Sequence, residues 1–133
     1  MLNQSLSTET LEFPTTIIHE LFEESGLDNT VVKERGYRYI TDSAELAKLG
    51  FATSQQLAPG LLIPLHSVDG THFGNIFKPD NPRVIKGKTI KYENPKGSRL
   101  RIDCPPRCQK QLGDPAVPLF ITEGVKKGDA LAT

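Results

Sequence analysis

The 133-residue sequence predicts an α+β fold in which short N-terminal helices pack on a mostly antiparallel sheet and a βα unit follows. Three observations predict this class. Apolar residues recur at helical spacing in the first fifty residues, an Asp-Gly turn signal separates two apolar runs near the middle, and a last apolar run leads into a helical segment. With 37% apolar and 24% charged residues, a chain of this length can bury a core without disulfides or metal.

Three short helices are predicted before residue 51. The first begins at Pro14, a residue favoured in the first helical turn, and has apolar residues at helical spacing as far as Phe22. The second follows a cap at Asp28 or Asn29 and the third a cap at Ser43, because these side chains accept hydrogen bonds from free backbone N–H groups. Glycines at positions 26, 36 and 50 are expected to end the helices.

A β-hairpin is predicted next, with strands over 61–65 and 72–77 and a turn at Asp69-Gly70. Residues 80–88 have the Pro, Asn and Gly content of a loop, and a short strand is expected over 89–92.

The last third of the sequence contains two further predicted elements. Pro105 and Pro106 favour the start of a one-to-two-turn helix that ends before Gly113. A buried strand over 117–122 is then expected to run through Glu123 and Gly124 into a helix over 125–132, which makes a βα unit.

Charge is distributed unevenly along the chain although the net charge is zero. Residues 1–29 contain six acids and no Lys or Arg, whereas residues 78–110 contain ten basic residues against three acids, a net charge of +7. A basic block of this kind favours a phosphate-bearing partner, a nucleic acid or a nucleotide. The alternative is a solvated basic face without a partner.

Other classes are disfavoured by composition. The apolar run 61–63 is broken at Pro64, far short of the ~18 residues of a membrane helix, and residues 1–10 lack the pattern of a secretory signal. The sequence therefore predicts a cytoplasmic protein with no membrane partner. Cys104 and Cys108 lack the second ligand pair of a structural zinc site.

Residues 119–131, which read LFITEGVKKGDAL, resemble the first motif of the Toprim domain of primases and topoisomerases. This resemblance implies that Glu123 is a catalytic or metal-associated carboxylate and that Gly124 permits the tight turn. The alternative is that Glu123 only begins a helix, a position that the helix dipole favours for an acid.

A wider resemblance covers residues 31–131. The patterns GLLIP…DG, PDNPR, KYE.P.GS, LGDP..PL and ITEG.KK.DAL are similar to a family that precedes Toprim-like domains in replication proteins of phages, plasmids and other mobile elements. The chain also resembles the N-terminal half of the bacterial primase catalytic core. The polar residues 1–13 are expected to form a flexible lead. The resemblances imply a primase-like module over 14–116 and the first βα unit of a Toprim-like domain over 117–133.

The resemblance implies a groove that binds single-stranded template or nucleotide phosphates. Tyr92 is expected to stack on a base, with core packing as the alternative. The predicted phosphate-binding residues are Lys78, Arg83, Lys91, Arg99, Lys126 and Lys127.

Catalysis requires more carboxylates than this sequence supplies. A complete Toprim domain has a later strand with an Asp-x-Asp pair that binds Mg²⁺ together with the first glutamate. Asp129 cannot replace that pair, so Mg²⁺ is expected at Glu123 only when the missing strands are supplied, and the chain alone is not expected to be active. We therefore expect a nucleic-acid-binding module of a DNA replication protein, or a short relative of one. The alternative is a regulatory module that docks a helicase or the remainder of a Toprim domain.

Overall fold

The computed structural model describes residues 13–133 and confirms the α+β class. The predicted lead over 1–13 lies, except for Phe13, outside the described residues. Two 3-10 segments occupy Thr53–Gln55 and Pro106–Gln111, the second at the predicted position. In chain order the other elements are α1 (Thr15–Ile18), a π-helical segment (His19–Glu24), α2 (Asn29–Arg35), β1 (Arg38–Ile40), α3 (Ser43–Lys48), β2 (Gly60–His66), β3 (His72–Pro79), β4 (Val84–Ile85), β5 (Lys88–Thr89) and α4 (Val125–Ala132).

The predicted helix caps are correct for α2 and wrong by one residue for α3. The Asp28 carboxylate accepts a hydrogen bond from the backbone N–H of Val31 at 2.9 Å, and α2 ends at Gly36, whose φ is 91°. In α3 the cap is Asp42 instead of Ser43, because the Asp42 carboxylate accepts from the N–H of Ala44 at 2.9 Å. The Ser43 hydroxyl is engaged elsewhere, as a donor to the carbonyl of Gln56.

The main sheet has the order β1-β2-β3 with antiparallel pairing throughout, and the predicted hairpin supplies the central strand β2 and the edge strand β3. Its turn contains Asp69, whose carboxylate accepts from the N–H of Thr71 at 2.9 Å. Gly60 begins β2 opposite Pro79, and a Cβ there would lie 2.5 Å from the carbonyl oxygen of Lys78. This close approach of two strands requires glycine.

Both faces of β2 are buried, since successive side chains of a strand point to opposite sides of the sheet. Leu61 and Ile63 pack with α1 and α2 in one cluster, whereas Leu62 packs with α3 and β3 in a second. The first cluster comprises Ile17, Leu21, Leu27, Val32, Tyr37, Leu61 and Ile63, and the second Ile40, Leu46, Phe51, Leu62 and Phe77.

The short strand predicted over 89–92 is wrong in its position. Residues expected to be loop form a two-stranded ribbon, in which Val84 pairs with Thr89 and Ile85 with Lys88. The ribbon turns at Lys86 and Gly87, both with positive φ, which is the conformation that a two-residue hairpin turn requires.

The strand predicted over 117–122 is not formed, although α4 after it is confirmed. The side chains of Leu119, Phe120 and Ile121 are 72%, 71% and 89% exposed. An extended segment becomes a strand only when it pairs with a neighbour. The edges of the described sheet are β1 and β3, and neither pairs with this segment.

A buried ion network holds α4 against the rest of the fold. All five donors of the Arg35 guanidinium are used: two bond Asp129 at 2.6 and 2.9 Å, two bond Asp103 at 2.8 and 2.7 Å, and one bonds the carbonyl of Pro64 at 2.9 Å. The hydroxyl of Tyr37 donates to Asp129 at 2.6 Å. Arg35 and Asp129 have fully buried side chains, so this network fixes the position of α4.

Candidate nucleic-acid interface

A cavity of about 750 Å³ lies between the end of the π-helical segment, the main sheet and the start of α4. Ile63 and Ile76 contribute an apolar wall from the sheet, and Val125 and Ala130 contribute apolar atoms from α4. Four residues predicted from the sequence line this one cavity: Tyr92, Glu123, Lys126 and Lys127. Tyr92 is 39% exposed, which favours a surface role over the core packing that was its alternative.

Lys78 and Lys126 meet at one carboxylate beside the cavity. The ammonium group of Lys78 donates to Oε1 of Glu20 at 2.5 Å, and that of Lys126 donates to Oε2 at 2.7 Å. The side chain of Lys78 is 26% exposed, and those of Lys126 and Glu20 are each 17% exposed, so both ion pairs are partly shielded from water. The two predicted phosphate ligands are therefore brought together, but each is already paired.

Burial alone would raise the pKa of Glu20, but the hydrogen bonds from Lys126 and Lys78 outweigh it and hold the pKa below its ordinary value of 4.5. A lowered pKa contributes stability that is complete above the unfolded value and is lost as the pH falls through the folded value. We therefore expect Glu20→Gln to lower the free energy of unfolding at pH 6 and to lower it less at pH 3. Urea denaturation of both proteins at the two pH values measures this difference, and a constant difference would contradict it.

Glu123 lies exposed at the start of α4 and forms an ion pair with Lys127 one turn later. The hydrogen bond from Lys127 lowers the pKa of Glu123, which therefore carries its charge at neutral pH. Among residues 13–133, no group of three or more His, Cys, Asp or Glu side chains is placed to hold a metal ion. Metal binding at Glu123 stays a prediction that depends on further carboxylates.

Arg83 is engaged in a different part of the structure. Its guanidinium donates to both carboxylate oxygens of Glu93 at 2.7 and 2.9 Å, and Glu93 is buried and also accepts from Gln55 at 3.2 Å. Phosphate binding by Arg83 would have to compete with this bidentate pair. The hydrogen bonds instead indicate that Arg83 fixes the chain after β3.

Lys91 and Arg99 belong to an exposed set of cations that we call the basic strip, within residues 84–101. The one acid in this range is Glu93, which is 2% exposed and paired with Arg83. In the part of the chain that the structure describes, no carboxylate lies within ion-pair distance of the strip. Its members are Lys86, Lys88, Lys91, Lys96, Arg99 and Arg101.

The acids of the basic block make their contacts away from the strip. Asp80 accepts from the hydroxyl of Tyr39, and Asp103 pairs with Arg35. Within the strip, the guanidinium of Arg101 lies 5.8 Å from the ring centre of Phe73, a cation–π contact that keeps its charge at the surface.

Sequence reasoning missed Glu20 and the network of Arg35 with Asp129. Glu20 is one of several acids in the first thirty residues, and nothing local distinguishes it from its exposed neighbours Glu23 and Glu24. Asp129 carried a usable signal, since it follows Val125 by four residues and so lies on the apolar side of α4.

Comparisons of the chain with models of known protein families, with curated proteins and with solved structures found no match. The resemblance to Toprim-type replication proteins therefore stays a prediction from the sequence. Within residues 13–133, no helix has the length and apolar character that crossing a bilayer demands.

Proposed function

We propose that this protein binds single-stranded nucleic acid, as a primase-like module of a DNA replication protein from a mobile element. The observation that carries the proposal is the basic strip, whose six exposed cations have no carboxylate partner among the described residues. Exposed Lys and Arg side chains without nearby carboxylates bind a phosphate backbone by releasing its counterions.

The cavity adds a second contact beside the strip. Tyr92 follows Lys91 directly and lines the cavity, so a strand that lies on the strip brings its bases to this ring. Stacking of a base on an aromatic side chain contributes about 1 to 3 kcal/mol in single-strand binding proteins. The apolar wall of Ile63 and Ile76 suits the face of a base, and Lys127 at the rim suits a phosphate.

Salt dependence of binding tests this function. We expect a fluorescently labelled oligonucleotide of about 20 nucleotides to bind, with an affinity that falls steeply as salt rises. Contact with Z phosphates of a single strand predicts a slope of about −0.7Z for log K against log salt. Fluorescence anisotropy at three salt concentrations measures this slope. Absence of binding at the lowest salt would contradict the proposal.

A second candidate function is favoured by the exposed apolar residues Leu119, Phe120 and Ile121. Consecutive exposed apolar side chains are typical of a surface that another protein covers. In this alternative the chain docks a replicative helicase or the remainder of a Toprim domain, and the basic strip is only solvated. It predicts that Phe120→Ser weakens a complex with the helicase in sedimentation experiments and leaves oligonucleotide binding unchanged.

A further inference from the structure

Glu20 holds the two lysines in the arrangement by which two ammonium groups bind one phosphate. Each carboxylate oxygen accepts from a different lysine, Oε1 from Lys78 at 2.5 Å and Oε2 from Lys126 at 2.7 Å. The lysines come from β3 and from the first turn of α4, which are far apart in the sequence. The fold thus assembles a two-lysine anion site and fills it with its own carboxylate.

We propose that Glu20 is an internal anion that masks Lys78 and Lys126, and that a phosphate of the bound strand must displace it. This regulation rests on the proposed function, because the strand supplies the competing phosphate. Until Glu20 is displaced, the two lysines do not contribute to binding.

The surroundings of Glu20 permit this exchange. Glu20 lies in the π-helical segment, a rare geometry that is often associated with functional sites, while Leu21 beside it stays anchored in the core. A rotation of the Glu20 side chain is enough to release both lysines without unfolding the segment. Tyr92 also contacts Lys126. Glu24, Glu123 and Lys127 line the adjacent cavity, so the released ammonium groups lie beside its apolar wall of Ile63 and Ile76.

The other possible role of Glu20 is to position the lysines for a ligand, and the two roles predict opposite results. If Glu20 positions them, its removal weakens binding. If Glu20 masks them, its removal strengthens binding, because the two ammonium groups then become available to phosphates without first displacing the Glu20 carboxylate.

The test compares Glu20→Gln with Glu23→Gln by anisotropy on the same oligonucleotide of about 20 nucleotides at about 0.1 M salt. We expect Glu20→Gln to bind about 5-fold more tightly for each additional phosphate that an unmasked lysine neutralises. Glu23→Gln removes the same charge from the same segment, but Glu23 is 69% exposed and its carboxylate pairs with His19 instead of the two lysines. We expect that control to change affinity less than about 2-fold, because an exposed charge is screened.

A mutant cycle ties the tighter binding to the masked lysines. We expect the effect of Glu20→Gln to shrink in a Lys78→Ala/Lys126→Ala background. Equal or weaker binding by Glu20→Gln than by Glu23→Gln would overturn the proposal, as would an undiminished effect without the two lysines. If Glu20→Gln does not fold, Glu20→Asp takes its place in the test. Its shorter side chain reaches the lysines less well, so we expect an increase in affinity that is smaller than the increase expected for Glu20→Gln.

A simple anion separates this inference from the proposed function. If neither the wild type nor any variant binds the oligonucleotide, the proposed function fails. Tripolyphosphate is then titrated into the wild type and into Glu20→Gln, and the lysine side-chain resonances are followed by NMR. Tighter tripolyphosphate binding by Glu20→Gln supports masking by Glu20. Equal binding by both proteins overturns it.

Discussion

Asp129→Ala is expected to lower the free energy of unfolding by about 3 to 5 kcal/mol, the cost of breaking a buried ion pair by removing one partner. The substitution leaves Nε and one Nη donor of Arg35 without acceptors in a fully buried position, and it removes the acceptor of the Tyr37 hydroxyl. Arg35 cannot relieve the cost by losing its proton, because its guanidinium stays charged at any accessible pH. Urea denaturation followed by circular dichroism at pH 7 measures the loss.

The matched control for Asp129→Ala is Glu45→Ala. Glu45 is also a helical acid paired with an arginine, but it is 45% exposed and lies 3.3 Å from Arg38. An exposed pair of this kind contributes about 0 to 1 kcal/mol. If Asp129→Ala costs no more than Glu45→Ala, the network is not what holds α4 in place.

Lys91→Ala with Arg99→Ala is expected to weaken single-strand binding by about 10-fold to 25-fold at about 0.1 M salt, since two fewer phosphates are neutralised. The slope of log K against log salt is expected to become shallower by about 1.4, which is twice the value of 0.7 for one phosphate. Both side chains are exposed and have no ion pair within the described residues, so the fold is expected to keep its stability. Anisotropy titrations at three salt concentrations measure both changes.

Arg38→Ala with Lys48→Ala is the control for this pair of substitutions. It removes the same number of charges from β1 and α3, outside the basic strip. Counterion release from a defined contact surface predicts little change in affinity or slope for the control. Equal losses in the two double variants would mean that binding follows net charge alone, and unchanged affinity in Lys91→Ala/Arg99→Ala would contradict a contact at the strip.

Helix α4 contributes residues to both the buried ion network and the cavity. Asp129 fixes the helix from its buried side, and Lys126 and Lys127 line the cavity near its start. A partly folded Asp129→Ala protein is therefore expected to lose the contact between Lys126 and Glu20 as well.

Local sequence signals predicted the elements whose causes are local. Asp28 begins α2 and Gly36 ends it, because a cap and a left-handed glycine act within a few residues. The Asp69-Gly70 turn sets the hairpin because it too acts over a few residues. The apolar run before Glu123 misled the prediction, since strand pairing depends on a neighbour that periodicity cannot reveal.

The candidate site also has a part that sequence patterns indicated and a part that only tertiary contacts decided. Tyr92, Lys126 and Lys127, which the sequence patterns singled out, line one cavity, and what they bind stays a prediction. Their availability was not predictable. Arg83 and Lys91 look equivalent in the sequence, yet Arg83 is paired with a buried carboxylate while Lys91 is exposed within the strip.

The sequence by itself determined the α+β class, the hairpin, most helix boundaries and the uneven distribution of charge. Only the tertiary structure decided which cations remain unpaired among the described residues, that Glu20 joins Lys78 to Lys126, and that Asp129 is a buried partner of Arg35. The physical reason is distance along the chain. Caps and turns depend on neighbours a few residues away, whereas an ion pair between residues 35 and 129 depends on how the whole chain packs.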